Sequence, residues 1–463
     1  MTGAVSLYRS SLDDLERRIA FTAGASTVAV YGLGKMGLPL AAAFADLTGS
    51  TLGVDVDPAV VSAVEAGDCP VANEPGLADL VAETVERGAL RATTDGERAA
   101  SQARVHVLIV PTTLTDAADP DLAALRAAAE TVGAGLSAGD VVLVESTVPP
   151  GTTTDVVDPV LAEESGLDPA RYGLAFCPER TSSGTALRDI HGQYPKIVGG
   201  VDEESTRVAR VIYGELSENE VVPVSDARTA EAVKLFEGLY RDVNIALANE
   251  LALLRDDLGV DVREAIAAAN GLPMCDLHDP GAGVGGHCIP YYPYFVMSAV
   301  ETETPLLRTA RERNDRMPGF VLKKVREGLL ATGTDPAEAT VAVLGLAYRP
   351  GVNETRASPA KPLVRGLSAY GADVVAVDPV VTDPHVVDAP RVDAADLPDI
   401  APDAVALVTA HDEFAALDWA ALDPAVVVDG RAALDIDDTH HHVYTVGSGP
   451  GGRGWAEPES EAR

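Results

Sequence analysis

The sequence predicts an α/β protein in which two parallel β-sheet domains are joined by a helical segment with a long central helix. Three observations support this prediction. Short apolar strands alternate with Ala-rich helical stretches over residues 27–226, a helical run without Pro follows at 227–258, and the alternation starts again at Thr340. Alternating strands and helices are typical of parallel sheets covered by helices on both faces.

The first alternating block follows a short amphipathic helix predicted at Leu12–Ala20. Its first strand, Thr27–Tyr31, consists of β-branched and apolar residues, which is typical of a buried strand. A helix at Leu38–Ala45 and a strand at Thr51–Asp55 complete a β-turn-α-β unit. Further strands are predicted at Val105–Val110, Val141–Glu145, Tyr172–Phe176 and Ile197–Gly199.

The second block repeats the pattern of the first. In each block a strand runs into a glycine turn, and the next strand ends in an aspartate, Asp55 in the first and Asp378 in the second. Between them, the helical run Ala227–Leu258 has the length of a helix that links domains or forms a dimer interface. The predicted boundaries are 1–26 for an N-terminal extension, 27–226 and 326–446 for two Rossmann-like domains, 227–325 for the helical domain and 447–463 for a disordered tail.

The charge balance excludes one class of function. The 463 residues include 71 Asp and Glu against 35 Lys and Arg, which gives a formal net charge of −36. A nucleic-acid-binding protein needs a basic face, and this field would repel a phosphate backbone. We interpret the charge as a hydrated acidic surface, as in halophilic proteins that work at high salt, where screening weakens self-repulsion. An acidic surface that binds a partner is the alternative.

The sequence also lacks the signals of export and of a disulfide framework. No apolar run approaches the ~18 residues of a membrane span, and acidic residues interrupt the N-terminus, so we expect a cytoplasmic protein that is not bound to a membrane. The four cysteines form no close Cys-x-x-Cys pair. The run His440–His442 is a weak metal candidate, because three neighbouring side chains cannot all point one way; we expect no metal site.

The turn Gly32-Leu33-Gly34-Lys35-Met36-Gly37 predicts a dinucleotide site, since it follows a strand and opens a helix. Gly32 allows the tight turn, Gly34 lets the backbone approach a pyrophosphate at the helix N-terminus, and Gly37 lets helix and strand pack closely. Asp55 lies where a carboxylate accepts from ribose hydroxyls, which favours NAD over NADP. A purely structural glycine turn is the alternative.

Two further residues are candidates for chemistry. Cys288 lies in a second Gly-rich segment, Gly281–Pro290, where glycines let backbone amides approach a ligand. A thiolate beside a nicotinamide can attack an aldehyde, and the adduct becomes a thioester when it loses a hydride. Lys234 is one of only six lysines, on an apolar turn of the long helix, and an ammonium there can stabilise an oxyanion. A buried structural thiol and a surface lysine are the alternatives.

Together these residues resemble the UDP-glucose/GDP-mannose dehydrogenase family, from about Thr27 to Val446. The resemblance lies in the order and spacing of several motifs. They are Gly32–Pro39, Glu74–Leu77, Val110–Thr112, Glu145–Thr152, Cys177-Pro178-Glu179-Arg180, the Lys234 helix, Gly285–Cys288, Gly345–Arg349 and Arg356–Pro359.

The resemblance implies a four-electron oxidation in which a sugar C6 alcohol becomes a carboxylate and two NAD⁺ are reduced. It implies that Cys288 is the nucleophile, Lys234 the cation beside the oxyanion and Glu179 the carboxylate that assists water. Cofactor contacts are implied for Gly32, Leu33, Gly34, Lys35, Met36, Gly37, Asp55, Thr112 and Thr147, and substrate contacts for Arg180, Thr181, Lys234, Arg241, His287, Arg349 and Arg356. It further implies that the second Rossmann-like domain binds UDP and that the long helix forms the core of a homodimer.

The chain departs from the family pattern near the catalytic residues. Gly238 stands where the family usually has Asn, and Tyr292 where it usually has Asp. Ser183 replaces a second glutamate, and Arg349 replaces a lysine. We interpret the first two changes as one coherent variant, in which Tyr292 fills the space freed by Gly238 and its hydroxyl replaces a hydrogen bond. A damaged or reassigned site is the alternative.

The motif variants resemble most closely the branch that oxidises UDP-N-acetyl-D-mannosamine, for surface glycan synthesis. Met274 stands where that branch often has Arg, so UDP-glucose and UDP-N-acetylglucosamine stay open as substrates. A catalytically weak nucleotide-sugar-binding protein and a two-electron 2-hydroxyacid dehydrogenase are the other hypotheses. The latter leaves Cys288 and the second Rossmann-like domain without a role.

Overall fold

The computed structural model describes residues 5–436 and 440–449, which divide into two compact units. The first unit comprises residues 5–237 and 294–302, and the second comprises 238–293 and the described residues from 303 onward. Among the described residues, no helix is both long and apolar enough to cross a bilayer. Most of the predicted tail and part of the segment before His440 lie outside the described residues.

The first unit is built on an eight-stranded sheet with a separate two-stranded hairpin. Its strands are β1 Val28–Tyr31, β2 Thr51–Val54, β3 Leu90–Thr93, β4 Val105–Leu108, β5 Thr113–Leu114, β6 Pro120–Asp121, β7 Val141–Val144, β8 Gly173–Phe176, β9 Lys196–Gly200 and β10 Val221–Pro223. The sheet order is β10-β9-β8-β7-β4-β1-β2-β3, and β5 pairs with β6. The prediction of parallel strands is wrong at one point, because β9 pairs antiparallel with β8.

Helices cover the sheet of the first unit. They are α1 Asp14–Thr22, α2 Gly37–Thr48, α3 Pro58–Glu65, α4 Leu77–Glu86, α5 Gly96–Gln102, α6 Ala123–Gly135, α7 Asp158–Ser165, α8 Ala186–Arg188 and α9 Glu203–Leu216. The central strands are buried on both faces, as β1, β4 and β7 show. The sheet order puts β2 on one side of β1 and β4 on the other, so the crevice at the carboxyl ends of β1 and β4 is a topological switch point, where such sheets bind ligands.

The N-terminal segment packs into the core of this unit. Leu7, Tyr8 and Phe21 are almost fully buried, and the Tyr8 hydroxyl donates to Asp202 at 2.6 Å. Helix α1 begins two residues later than predicted because Asp13 caps it, in a capping box with Glu16. Residues 5–26 are therefore part of the folded first unit.

The second unit contains a five-stranded parallel sheet. Its strands are β11 Thr340–Leu344, β12 Asp373–Val377, β13 Ala404–Leu407, β14 Val426–Asp429 and β15 His442–Thr445, in the order β12-β11-β13-β14-β15. Its helices are α11 Arg255–Leu258, α12 Val262–Ala269, α14 Pro305–Thr332, α15 Ala360–Ala369, α16 Leu397–Ile400 and α17 Asp412–Ala415. Helices α10 Ala227–Leu253 and α13 Cys288–Ser298 contain residues of both units.

Two predicted boundaries in the second unit are wrong. The helix predicted to reach Leu258 is interrupted at Leu254, whose N–H is shared between the carbonyls of Glu250 and Leu251, and the short α11 then ends at Gly259 with φ +66°. The predicted tail begins too early, because the Val262 N–H donates to the Gly447 carbonyl at 2.9 Å.

Candidate active site

The predicted dinucleotide turn lies between β1 and α2, at the switch point of the first sheet. Gly32 has φ +100°, which favours glycine. A Cβ on Gly37 would lie 1.9 Å from the Gly32 carbonyl oxygen, whereas a Cβ on Gly34 would meet no atom within 4 Å. Gly37 is therefore required for close packing, and Gly34 presents bare backbone, which fits the approach of a pyrophosphate.

Asp55 follows β2 and is held toward this turn. Its carboxylate accepts from the Leu33 N–H at 2.7 Å and from the Asp57 N–H at 2.9 Å. These two bonds use one lone pair on each oxygen and fix the orientation of the group. The remaining lone pairs fit the hydroxyls of an adenosine ribose. Lys35 and Met36 complete the turn, Lys35 exposed and Met36 half-buried.

Thr112 and Thr147 meet beyond the ends of the neighbouring strands β4 and β7. The Thr112 hydroxyl donates to the Thr147 carbonyl at 2.6 Å, and Thr112 is buried. The Ser146 hydroxyl donates to the Val110 carbonyl at 2.8 Å, which ties the same two loops together. The structure thus brings together, at one sheet edge, two residues predicted to contact the cofactor that lie 35 positions apart in sequence.

Lys234 and Glu179 form an ion pair in the first unit, with side-chain exposures of 9% and 15%. Glu179 follows β8, Lys234 lies on α10, and the Lys234 ammonium donates both to the Glu179 carbonyl and, at 3.3 Å, to its carboxylate. Burial alone would raise the pKa of the Glu179 carboxyl, but the Lys234 charge and hydrogen bonds from Thr181 outweigh it and hold that pKa below its ordinary value. Lys234 is only 7% exposed, so it is not the surface lysine of the alternative hypothesis.

The loop after Glu179 is tied to the dinucleotide turn and to α10. The Thr181 hydroxyl donates to the Met36 sulfur at 2.9 Å. Arg180 forms an ion pair with Glu237 at 2.5 Å and donates to the Pro195 carbonyl at 2.7 Å. Arg180, expected on the substrate side, is therefore held within the first unit by partners of its own.

Cys288 is the first residue of α13 and is exposed. A helix N-terminus favours a negative charge placed before it. The Nε2 atom of the neighbouring His287 accepts a hydrogen bond from the Arg356 guanidinium, and the Gly286 N–H donates to the Arg356 carbonyl at 2.9 Å. The structure thus joins the cysteine segment to the segment of Arg356 within the second unit.

The other two predicted substrate arginines of the second unit, Arg241 and Arg349, lie on different elements. Arg241 is exposed on α10, and Arg349 is half-buried in the turn after β11. Beside Arg349, burial raises the pKa of the Tyr348 hydroxyl, and the charges of Glu354 and Cys288 raise it further.

Tyr292 packs directly against Gly238, as the coherent-variant hypothesis expects. A Cβ on Gly238 would lie 2.2 Å from Tyr292 Cδ2 and 3.1 Å from Cγ and Cε2. Tyr292 is 7% exposed and lies one helical turn after Cys288 on α13. The aromatic ring therefore occupies the volume that any side chain at position 238 would need.

Sequence reasoning missed two residues that hold the Gly-rich segment before Cys288. The Asn249 carboxamide accepts from the Gly281 N–H at 2.8 Å, and the Arg431 guanidinium donates to the Gly283 carbonyl at 3.0 Å. The sequence signal for Asn249 is a polar residue within a long helical run without Pro, and only the structure shows that this residue is buried. For Arg431 no local signal exists, since its role depends on strand β14 ending nearby.

The histidine run has structural contacts. His440 and His441 bind the carbonyls of Leu422 and Trp419, each at 2.7 Å. No group of three metal-ligating side chains occurs in the part of the chain that the structure describes.

Comparison with known proteins gives matches along most of the chain. Residues 26–217, 228–316 and 342–436 match the NAD binding, central and UDP binding domains of the UDP-glucose/GDP-mannose dehydrogenase family. The chain is 36% identical over 409 residues to UDP-N-acetyl-D-mannosamine dehydrogenase of Pyrococcus horikoshii, across 87% of this chain and 95% of that protein. It is also 36% identical over 414 residues to NDP-N-acetyl-D-galactosaminuronic acid dehydrogenase of Ralstonia nicotianae, across 88% and 95%.

Solved structures give the same result. UDP-D-ManNAc dehydrogenase from Pyrococcus horikoshii superimposes with a TM-score of 0.84 at 34% identity, across 91% of this chain and 99% of that one. A UDP-glucose dehydrogenase from Pyrobaculum islandicum superimposes with a TM-score of 0.80 at 28% identity, across 88% and 94%. The chain therefore belongs to the UDP-glucose/GDP-mannose dehydrogenase family and is an NAD-dependent nucleotide-sugar dehydrogenase.

Proposed function

We propose that this enzyme oxidises the C6 alcohol of UDP-N-acetyl-D-mannosamine to the carboxylate, for surface glycan synthesis. The observation that carries the proposal is the Lys234–Glu179 ion pair, tied through Thr181 and Met36 to the dinucleotide turn. A shielded ammonium beside a carboxylate suits a reaction in which an oxyanion develops and a water must lose a proton. The sugar is taken from the name of the Pyrococcus horikoshii relative.

In the proposed mechanism NAD⁺, when bound, accepts a hydride in each of two oxidation steps, and the proton of the C6 hydroxyl leaves to water in the first. After the first, the Cys288 sulfur adds to the aldehyde carbon, and Lys234 stabilises the negative charge on the aldehyde oxygen. Loss of a hydride from this adduct gives a thioester. Glu179 then accepts a proton from the attacking water, the carbon–sulfur bond breaks and Cys288 leaves as a thiolate, and the carboxylic acid formed loses its remaining proton to solvent.

The substrate diphosphate is assigned to arginine side chains of the second unit. In the glycine turn after β11, Asp378 accepts from the Leu346 and Ala347 N–H groups at 2.7 and 2.8 Å, so these amides already have a partner. Arg349 and Arg356 lie on the segment after this turn, and a guanidinium binds diphosphate oxygens bidentately. This assignment agrees with the match of residues 342–436 to a UDP binding domain.

A homodimer through α10 is part of the proposal. Within the second unit, large apolar side chains recur on and just after this helix at helical spacing and are exposed: Tyr240 52%, Leu247 47%, Leu254 39% and Leu258 58%. Apolar side chains repeated on one exposed face favour burial against another protein surface. Leu247→Glu should shift the protein from dimer to monomer in light scattering, whereas Leu306→Glu, at another exposed leucine, should not.

The test is the NADH yield per sugar, with UDP-N-acetyl-D-mannosamine, UDP-N-acetylglucosamine and UDP-glucose measured in parallel at high KCl. Formation of two NADH per molecule of the mannosamine derivative would support the proposal. Formation of two NADH from UDP-glucose alone would mean that UDP-glucose is the substrate instead. In Glu179→Gln we expect both oxidation steps to occur once and rapidly. The thioester on Cys288 should then accumulate and be detectable by mass spectrometry. Cys275→Ser, at a half-buried cysteine, should behave like the wild type. No NADH from any sugar would favour the binding-protein hypothesis.

A further inference from the structure

A buried cluster beside Glu179 consists of Glu145, Lys196 and Tyr213. The Lys196 ammonium donates to the Glu145 carboxylate at 2.8 Å and lies 4.3 Å from the centre of the Tyr213 ring. The Tyr213 hydroxyl donates to the other Glu145 oxygen. Glu145 is 2% and Tyr213 1% exposed, whereas the Lys196 side chain is 16% exposed, so a buried carboxylate is paired with a half-buried ammonium. The proposed mechanism gives none of the three residues a role.

The cluster connects two loops that carry proposed site residues. Glu145 follows β7 and precedes Ser146 and Thr147, on the cofactor side. The Lys196 ammonium also donates to the Pro178 carbonyl at 3.2 Å, on the peptide group that leads into Glu179. One ammonium therefore holds the Glu179 backbone against the end of β7.

The reversed strand β9 brings Lys196 to this position. Ala175 lies opposite Gly200 and Phe176 opposite Gly199 in the antiparallel pair of β8 and β9. The first residue of β9 therefore lies at the edge of the sheet where the parallel strands end, beside the residues that follow β8. In a parallel arrangement Lys196 would lie at the opposite edge.

Charges of both signs surround Glu179. Lys234 on α10 and Lys196 on β9 act on it as cations, Glu145 after β7 and Asp189, which lines the same cavity, are anions, and Tyr213 on α9 is a neutral donor. Arg180, on the same loop, is paired with Glu237. Removal of Lys196 would leave the buried Glu145 carboxylate without its cation and would remove one of the two ammonium groups that keep Glu179 ionised.

The cluster also borders a partly open cavity. Glu145, Glu179 and Lys196 line it together with the charged side chains of Arg180 and Asp189 and with apolar side chains that include Leu40 and Leu216. In apolar surroundings the effect of each charge on its neighbours is stronger than in water. The charge of Lys196 therefore acts on Glu179 more strongly than it would across bulk water.

We propose that Lys196, held in place by Glu145, is a positioning residue for Glu179 in the hydrolysis half of the reaction. This inference rests on the proposed function. Lys196 fixes the carbonyl that precedes Glu179 and supplies a second positive charge to the carboxylate that accepts the proton of water. It has no part in the first hydride transfer and does not contact the cofactor turn.

The test is Lys196→Met in the full-length enzyme, with the two NADH-forming steps and thioester hydrolysis followed separately in single turnovers. We expect hydrolysis to slow at least about tenfold, a part of the ~10²-fold or more that a general base contributes. Enzyme thioester should accumulate on Cys288, while the KM for NAD⁺ and the first hydride transfer stay near wild-type values. Loss of one cation raises the pKa of Glu179, so the acidic limb of the pH profile for hydrolysis should move to higher pH.

Controls separate positioning from general damage. Lys196→Arg keeps the charge and should restore the pH profile at least in part, and Lys323→Met, at an exposed lysine of α14, should behave like the wild type. If Lys196→Met does not fold, Glu145→Gln/Lys196→Met removes both charges of this ion pair together and should still slow hydrolysis selectively. Equal slowing of both NADH steps, or hydrolysis with an unchanged rate and pH profile, would overturn the proposal. Failure of the wild type to form two NADH would instead overturn the proposed function.

Discussion

The contact between Gly238 and Tyr292 allows a quantitative prediction for Gly238→Ala. The new Cβ would lie 2.2 Å from Tyr292 Cδ2, whereas carbon atoms in contact are separated by ~3.5–4.0 Å, so the overlap exceeds ~1 Å. The Tyr292 ring is 7% exposed and lies on a helix that contains Pro293, so it has little room to move.

Two effects of opposite sign determine the result. Replacing a helical glycine by alanine stabilises by ~1 kcal/mol, whereas overpacking a buried contact costs ~1–3 kcal/mol. With an overlap of this size we expect overpacking to dominate and the variant to lose about 1–2 kcal/mol of the free energy of unfolding. Helix α13 begins at Cys288, so the displacement should also slow both NADH-forming steps.

The assay is urea unfolding at fixed KCl, together with the rates of the two NADH steps. Gly319→Ala is the matched control, because Gly319 is also helical and a Cβ there meets no atom within 4 Å. We expect Gly319→Ala to be as stable as the wild type or more stable. Equal stabilisation by both substitutions would refute the reasoning. The double variant Gly238→Asn/Tyr292→Asp should be more stable than the sum of its single variants predicts, by ~1 kcal/mol or more, because the two side chains share one volume.

Three further predictions follow from the same structure. Tyr292→Phe should slow thioester hydrolysis more than the first hydride transfer, as seen in the two phases of NADH formation, and equal slowing of both phases would contradict a role for the hydroxyl. Iodoacetamide should modify the exposed Cys288 rapidly, and NAD⁺ together with substrate should block this modification. Cys177 should stay unmodified in the folded enzyme, because burial raises the pKa of its thiol. The net charge of −36 predicts that the Tm rises between about 0.1 M and about 2 M KCl, and a Tm that does not rise would remove the halophilic interpretation.

Much of the fold was predictable because its signals are local. Each strand of the first sheet that was predicted lies within a few residues of the observed one, since runs of β-branched and apolar residues occur where a strand is buried on both faces. Strand β15 was missed, because its alternating sequence His442-Val443-Tyr444-Thr445 does not form an apolar run. The extension before β1 was predicted as an addition to the fold, and only packing shows that Leu7, Tyr8 and Phe21 complete the core.

The sequence by itself determined the dinucleotide turn and its aspartate, because the φ of Gly32, the bare backbone at Gly34 and the register of β2 depend on residues near in sequence. Contacts between distant segments depend on the order and direction of the strands, which no local pattern specifies. The pairing of Lys234 with Glu179 follows from where α10 lies beside the end of β8. The placement of Lys196 follows from the reversal of β9, a single change of strand direction that brings a second ammonium to the carboxylate.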